Sequence, residues 1–303
     1  MGRYTYTIEN GQRKAQIETA HGTIQLPTFL PVTTFGDKYP LDKLVQPYLK
    51  RMSQCLMVSH FYAQQMKKRP SMPIFIDSGG FASLFEGSEI VEHEEYACIK
   101  TKDGDEIDPL QVLHFQERMA DIVATLDFII PPGIEQKEAE RRLDWTIRNA
   151  LYVQKQVDTK AFMLYGSLQC WDEASARKCA RIYADAGFEG IAIGGMVPHA
   201  KDPEYIKNTV RAVREEAPDC AIHVFGCGNV ELIPDLIRLG ADSFDASSYV
   251  RSALDTRTGG KRQSVGIHTN LYAALERLAE INAVVQGSEA LAEQIPNAKL
   301  CLR

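Results

Sequence analysis

The sequence predicts an α/β chain folded as a (β/α)8 TIM barrel, entered through an N-terminal hairpin. Eight short apolar runs recur along the 303 residues, near positions 28, 56, 75, 124, 163, 192, 223 and 243. The later runs alternate with amphipathic stretches of helical length, and repeated strand-then-helix order implies a parallel sheet. A doubly wound open sheet is the alternative. No G-x-G-x-x-G opens a helix after the first strand, which counts against a dinucleotide-binding version of it.

Tyr4 to Glu18 alternates in polarity around a Glu9–Gln12 turn and reads as a hairpin. A turn at His21-Gly22 leads to the first barrel strand, flanked by Pro27 and Pro31. Leu41–Lys50 is amphipathic and predicts a helix, followed by the Cys55–Ser59 run and then Ile74–Asp77. Ile90–Ile107 is mixed and predicts a β-hairpin or a long loop. Asp108-Pro109 predicts an N-cap with proline in the first turn, opening a helix through Val112, Phe115 and Met119. Ile122–Asp127 is apolar and ends in an acid, and Glu135–Gln156 predicts a long charged helix. Strand and helix then alternate: Ala161–Gly166, Asp172–Ala186, Gly190–Gly195, Pro203–Glu216, Ala221–Gly226, a helix from an Asn229 cap through Ile237, and Gly240–Asp245. Arg251–Arg262 predicts a basic surface loop and His268–Val285 a last helix. Residues 1–286 are expected to form one barrel, with 287–303 a polar tail.

The formal net charge is −6, from 34 Lys+Arg against 40 Asp+Glu, which argues against a generally basic nucleic-acid coat but permits a local basic groove. The seven cysteines are scattered and odd in number, as for reduced thiols in a cytosolic protein. No apolar h-region opens the chain and no run approaches a membrane span, so a cytoplasmic location is expected.

In such a barrel the active site lies at the C-terminal ends of the strands. Ser59, Asp77-Ser78-Gly79-Gly80, Asp127, Gln169, Gly194-Gly195, Gly226, Gly228 and Asp245 all fall there. A lone Asp at a strand end is usually a turn former or helix cap. Three at equivalent positions suggest a site. Two facing carboxylates suit chemistry at an anomeric carbon, one as nucleophile and one handling the leaving group's proton. The third acid, Gln169 and glycine backbone can read the edge of a planar base, and Phe81 can stack on its face. There is no H-x-H, no H-E-x-x-H and no compact His/Cys cluster, so no metal and no cofactor is expected, and the histidines are read as structural or surface residues. Without G-x-S-x-G, Ser78 is not read as an esterase nucleophile.

As a set, HGTIQLPTFLPVTTFG, IFIDSGGF, ATLDFIIPP, YGSLQ, IAIGGM, FGCGN and GADSFDASSY resemble the tRNA-guanine transglycosylase family, over about residues 15–255. The resemblance implies a (β/α)8 barrel that replaces guanine in a polynucleotide with a 7-deazaguanine such as preQ0. It implies Asp245 as the nucleophile on ribose C1′ and Asp77 as general acid/base. It also implies Ser78, Gly79, Phe81, Asp127, Gln169, Gly194, Gly195 and Met196 around the base. Three departures stand out. Cys170-Trp171 replaces the glycine pair after the glutamine, and Ser59 stands where many members have Asn. The family's zinc site of three cysteines and a histidine has no counterpart, since only His268 and Cys301 follow Asp245. A barrel without the zinc subdomain is therefore expected, with DNA placed slightly ahead of tRNA as polymer. Arg251, Arg257, Lys261 and Arg262, with Lys67-Lys68-Arg69, are the expected phosphate contacts, with solvated surface charge as the plain alternative. A non-catalytic RNA-binding partner subunit and a nucleoside-level glycosyl transferase are the other classes, and a homodimer is left open.

Overall fold

All eight expected runs form strands, and they close on one another. The computed structural model describes residues 3–9, 12–34, 40–64, 66, 68–116, 118–156, 161–254, 257–258, 261–262 and 267–287. Strands β1 (Tyr4–Glu9), β2 (Gln12–Thr19) and β3 (Gly22–Leu26) precede the first barrel strand, β4 (Thr28–Thr33). Then follow α1 (Pro40–Met52), β5 (Leu56–Val58), α2 (His60–Ala63), β6 (Ile74–Ile76) and a 3-10 turn at Gly80–Leu84. An inserted sheet of β7 (Glu89–Glu92), β8 (Ala97–Lys100) and β9 (Glu106–Ile107) leads to α3 (Pro109–Gln116) and β10 (Ile122–Ala124). The chain continues through α4 (Gln136–Gln156), β11 (Met163–Leu168), α5 (Glu173–Asp185), β12 (Gly190–Ile193) and a 3-10 turn at Val197–His199. It goes on through α6 (Pro203–Glu216), β13 (Ala221–Val224), α7 (Ile233–Arg238) and β14 (Ser243–Ala246). Last are α8 (Ser248–Leu254), the ribbon β15 (Arg257–Thr258) and β16 (Lys261–Arg262), and α9 (Ile267–Gln286).

The barrel runs β4-β5-β6-β10-β11-β12-β13-β14 and back to β4, every pair parallel. Alternation within each strand divides the apolar residues in two. Ile74, Ile76, Ile191, Ile193, Ile222 and Val224 face the helices, whereas Phe75, Ala192 and Ala221 belong to the lumen cluster. The lumen cluster also takes in Ile17, Ile24 and Leu26, so the N-terminal sheet plugs the bottom of the barrel with its apolar face. The lower rim is tied by two buried acids. Asp242 accepts from Arg214 (2.8 Å) and the Ile222 amide (2.7 Å). Asp121 pairs with Arg69 and His21 and accepts from the Ile74 amide (3.0 Å).

Local signals explain most element ends. Asp172 caps α5 by accepting from the Ser175 amide at 2.7 Å, and Asp108 accepts from the Leu110 amide at 2.8 Å at the head of α3. At four places the structure extends or differs from the expectation. Helix α3 ends at Gln116, and Met119 lies in the closing turn, where the Met119 and Ala120 amides both donate to the Gln116 carbonyl. The buried Gln116 side chain donates to the Asp77 carbonyl at 2.6 Å. Asn229 caps the turn that leads into the next helix, its Oδ1 accepting from the Glu231 amide and its carbonyl from the Ile233 amide, both at 3.0 Å, and the regular helix begins later, at Ile233. The stretch from 251 is no simple loop, since Arg251 lies in α8 and residues 257–262 include a paired ribbon. Ile90–Ile107 is a three-stranded sheet, because β9 adds to the expected hairpin. The tail beyond Gly287 lies outside the described residues.

Candidate active site

At the carboxyl ends of the barrel strands, Ser78, Asp127 and Gln169 form one hydrogen-bonded group, and Asp77 and Asp245 are each held by partners of their own. Asp77 follows β6 directly. Its Oδ1 accepts from the amides of His60 (2.8 Å) and Gly79 (3.1 Å). Those two donors favour the charged form, but burial outweighs them, and the nearby carboxylates of Asp245 and Asp127 add to it. Together they push Asp77 up to about 7. His60 supplies no compensating charge, because burial pushes its imidazole down to about 4. Asp77 is thus poised to gain or lose a proton at neutral pH.

Asp127, past the end of β10, accepts from the Ser78 hydroxyl through Oδ1 and from the Gln169 amide through Oδ2, both at 2.5 Å. It is 3% exposed, and burial raises its pKa. Gln169 is itself 1% exposed, so its amide orientation is fixed by Asp127 and the Ile130 amide (3.4 Å). The flanking glycines are needed sterically. A Cβ on Gly80 would sit 2.1 Å from Asp127 Oδ1, and one on Gly194 would sit 2.2 Å from Gln169 Nε2. Gly195 adopts φ +74°, turning the backbone at Gly195-Met196 around the Gln169 amide. Gly79 adopts φ +75° beside His60. Phe81 stands 63% exposed at the mouth, its ring edge-on to Phe85 with centroids 5.7 Å apart. Ser59 leads into α2, where its carbonyl accepts from Tyr62 and Ala63.

Asp245 lies within β14, 6% exposed. Its Oδ1 is held by the Gly226 amide (2.9 Å) and by Nε2 of His223 (3.1 Å). His223 is fully buried in β13, its Nδ1 2.9 Å from the Ser243 hydroxyl. The rings of Phe75 and Phe225 pack on it at 4.9 and 4.8 Å. With Nε2–H donating to the carboxylate, Nδ1 accepts from Ser243, which fixes one tautomer. Among the described residues Oδ2 of Asp245 has no hydrogen-bond partner. The carboxylate is therefore anchored by one oxygen and open at the other. Reading the histidines as structural or surface residues missed His223. The signal was its parity in Ala221–Phe225, one imidazole among lumen-facing apolar residues.

The expected phosphate contacts divide. Arg251 is exposed on α8. Arg257, Lys261 and Arg262 fall in the ribbon, whose side chains are outside the description, as is Lys67. Arg69 is corrected. Its guanidinium is engaged with Asp121, the Met119 carbonyl (3.0 Å) and the Met72 carbonyl (3.3 Å) near the start of β6, away from the mouth.

A family model described as queuine tRNA-ribosyltransferase matches residues 9–277. The chain belongs to the queuine tRNA-ribosyltransferase family. Among curated members it is 30% identical over 245 residues to a tRNA-guanine(15) transglycosylase of Methanocaldococcus jannaschii, covering 77% of this chain and 36% of that protein. A Methanosarcina mazei tRNA-guanine(15) transglycosylase is 26% identical over 268 residues, covering 82% and 50%. A Chlamydia pneumoniae queuine tRNA-ribosyltransferase is 28% identical over 286 residues, covering 80% and 73%. The chain thus spans about half the length of the first of the archaeal relatives. The family's zinc site does not fit the residues here. No cysteine occurs among the described residues after Asp245, and the sequence there holds only His268 and Cys301. Among the described residues no helix is long and apolar enough to cross a membrane.

Proposed function

We propose that this barrel exchanges a guanine within a nucleic acid for a 7-deazaguanine, through a covalent glycosyl-aspartate at Asp245. The observation that carries the reading is the unlike treatment of two acids at one mouth. Asp245 is anchored through Oδ1 with Oδ2 open, while Asp77 is pushed up to about 7. Oδ2 of Asp245 attacks ribose C1′ as the bond to guanine breaks, and Asp77 gives its proton to the leaving base. The incoming base returns its proton to Asp77 as its ring nitrogen attacks C1′, and Asp245 is released. Asp127, Ser78, Gln169 and the Gly194-Gly195-Met196 backbone receive the base edge, and Phe81 covers its face. The target nucleotide must leave its stack to reach this mouth.

The polymer in the relatives' names is tRNA. Duplex DNA, slightly favoured by the sequence, rests on the missing zinc ligands after Asp245. Incubation with labelled guanine or preQ0 and either polymer tests the reading. Label entering tRNA or DNA supports base exchange and names the polymer. No label in either polymer, with exchange on free guanosine, replaces it by a nucleoside-level transferase. No label in any substrate favours the partner-subunit reading.

A further inference from the structure

The inserted sheet gathers three metal-ligating side chains that no sequence spacing announces. His93 opens the turn after β7, and its amide donates to the Tyr96 carbonyl at 2.8 Å. Cys98 lies on β8 opposite Val91 of β7, and Glu106 lies on β9 opposite Lys100 of β8. One ligand atom from each residue falls within 4.8 Å of the other two. Cys98 Sγ and His93 Nε2 are 3.6 Å apart. Tetrahedral zinc, with Zn–S of about 2.3 Å and Zn–N of about 2.0–2.1 Å, separates its sulfur and nitrogen ligands by about 3.5 Å. The pair is already spaced for a shared ion.

The imidazole is also oriented. His93 stacks on Tyr96 with centroids 4.7 Å apart, and Tyr96 stacks on Tyr152 of α4 at 5.1 Å. Cys98 is 1% exposed, whereas His93 and Glu106 reach solvent. An ion can therefore enter from the outer face, meet a thiol at the floor, and keep a water as fourth ligand. Glu106 closes the remaining distance by rotation of its exposed side chain.

We propose that His93, Cys98 and Glu106 bind one Zn²⁺ ion, outside the base pocket and unrelated to the family's site after the nucleophile. Soft sulfur, imidazole and one carboxylate are a zinc-type donor set. The thiol gives its proton to solvent as the Zn–S bond forms. The ion ties β9 to the β7–β8 turn. The opposite face of β8, at Ala97 and Ile99, packs in one cluster with Ala82 of the Gly80–Leu84 turn, next to Phe81. The ion is structural, and it steadies the wall that carries Phe81. The inference stands whether or not the base-exchange reading holds.

The test is metal binding by the chain itself. After chelation and dialysis against micromolar zinc, the wild type is expected to hold one zinc per chain by elemental analysis. Replacement by Co²⁺ should give thiolate-to-cobalt absorption in the near ultraviolet. Cys98→Ser should abolish that band and weaken zinc binding at least about tenfold, and Glu106→Gln should weaken it while keeping the band. Cys301→Ser should change neither. Wild type without stoichiometric zinc overturns the proposal, as does a Cys98→Ser chain that keeps both affinity and band.

Discussion

Nε2 of His223 lies 3.1 Å from Oδ1 of Asp245, so a fully buried imidazole in the barrel lumen holds one oxygen of the proposed nucleophile. His223→Phe keeps the ring between Phe75 and Phe225 but removes the donor. A hydrogen bond to a charged group contributes about 1.5–3 kcal/mol, so covalent-step rates should fall roughly 10- to 100-fold. KM for the polymer should stay near wild type, and His223→Gln, which can still donate, should recover much of the loss. Single-turnover kinetics separate these outcomes.

Asp77 couples activity to stability. Its folded pKa is raised to about 7 from 3.8, so between those values the folded state binds more protons than the unfolded state. Stability then falls as pH rises through that window, and the full cost is present above it. Asp77→Asn should therefore raise the melting temperature at pH 8 by more than at pH 4. It should also abolish base exchange and its inflection near pH 7. A thermal melt series against pH measures the first effect, and a pH–rate profile the second.

Two glycines report the tightness of the base pocket. On Gly80, a Cβ would meet the Asp127 backbone carbonyl at 2.5 Å, which cannot move aside cheaply. On Gly194 the nearest atom is the end of the Gln169 side chain. Gly80→Ala should lower the melting temperature markedly. Gly194→Ala should fold with a smaller loss but displace Gln169 and weaken base binding. Calorimetry and KM for the free base distinguish them.

Arg69 and Arg251 should behave oppositely. Arg69→Ala leaves Asp121 short of a buried partner and should cost about 3 kcal/mol of stability, with the salt dependence of polymer binding unchanged. Arg251→Ala should leave stability unchanged and lower the slope of log affinity against log salt by about 1. Denaturant melts and salt titrations check the pair.

Much of this was legible in the sequence. Eight apolar runs between polar helices pointed to the barrel, with an open doubly wound sheet as the alternative, and acids or glycines at their ends marked its mouth. What escaped depended on contacts across the sheet. His223 touches Asp245 only because β13 pairs with β14 in that register. His93, Cys98 and Glu106 meet only because β8 lies between β7 and β9. Arg69 looked like part of a basic cluster, and only the fold shows that it is committed to Asp121. Helix α8 is seven residues long and follows β14 after a single residue, too short for a periodic signal.

The identity of the nucleophile is tested most directly by trapping the intermediate. The protein is mixed with labelled polymer in the absence of incoming base, quenched in denaturant, digested, and the modified peptide is located by mass spectrometry. The label should sit on the peptide containing Asp245 and vanish in Asp245→Asn. A label on Asp77, or full base exchange by Asp245→Asn, would contradict the assignment.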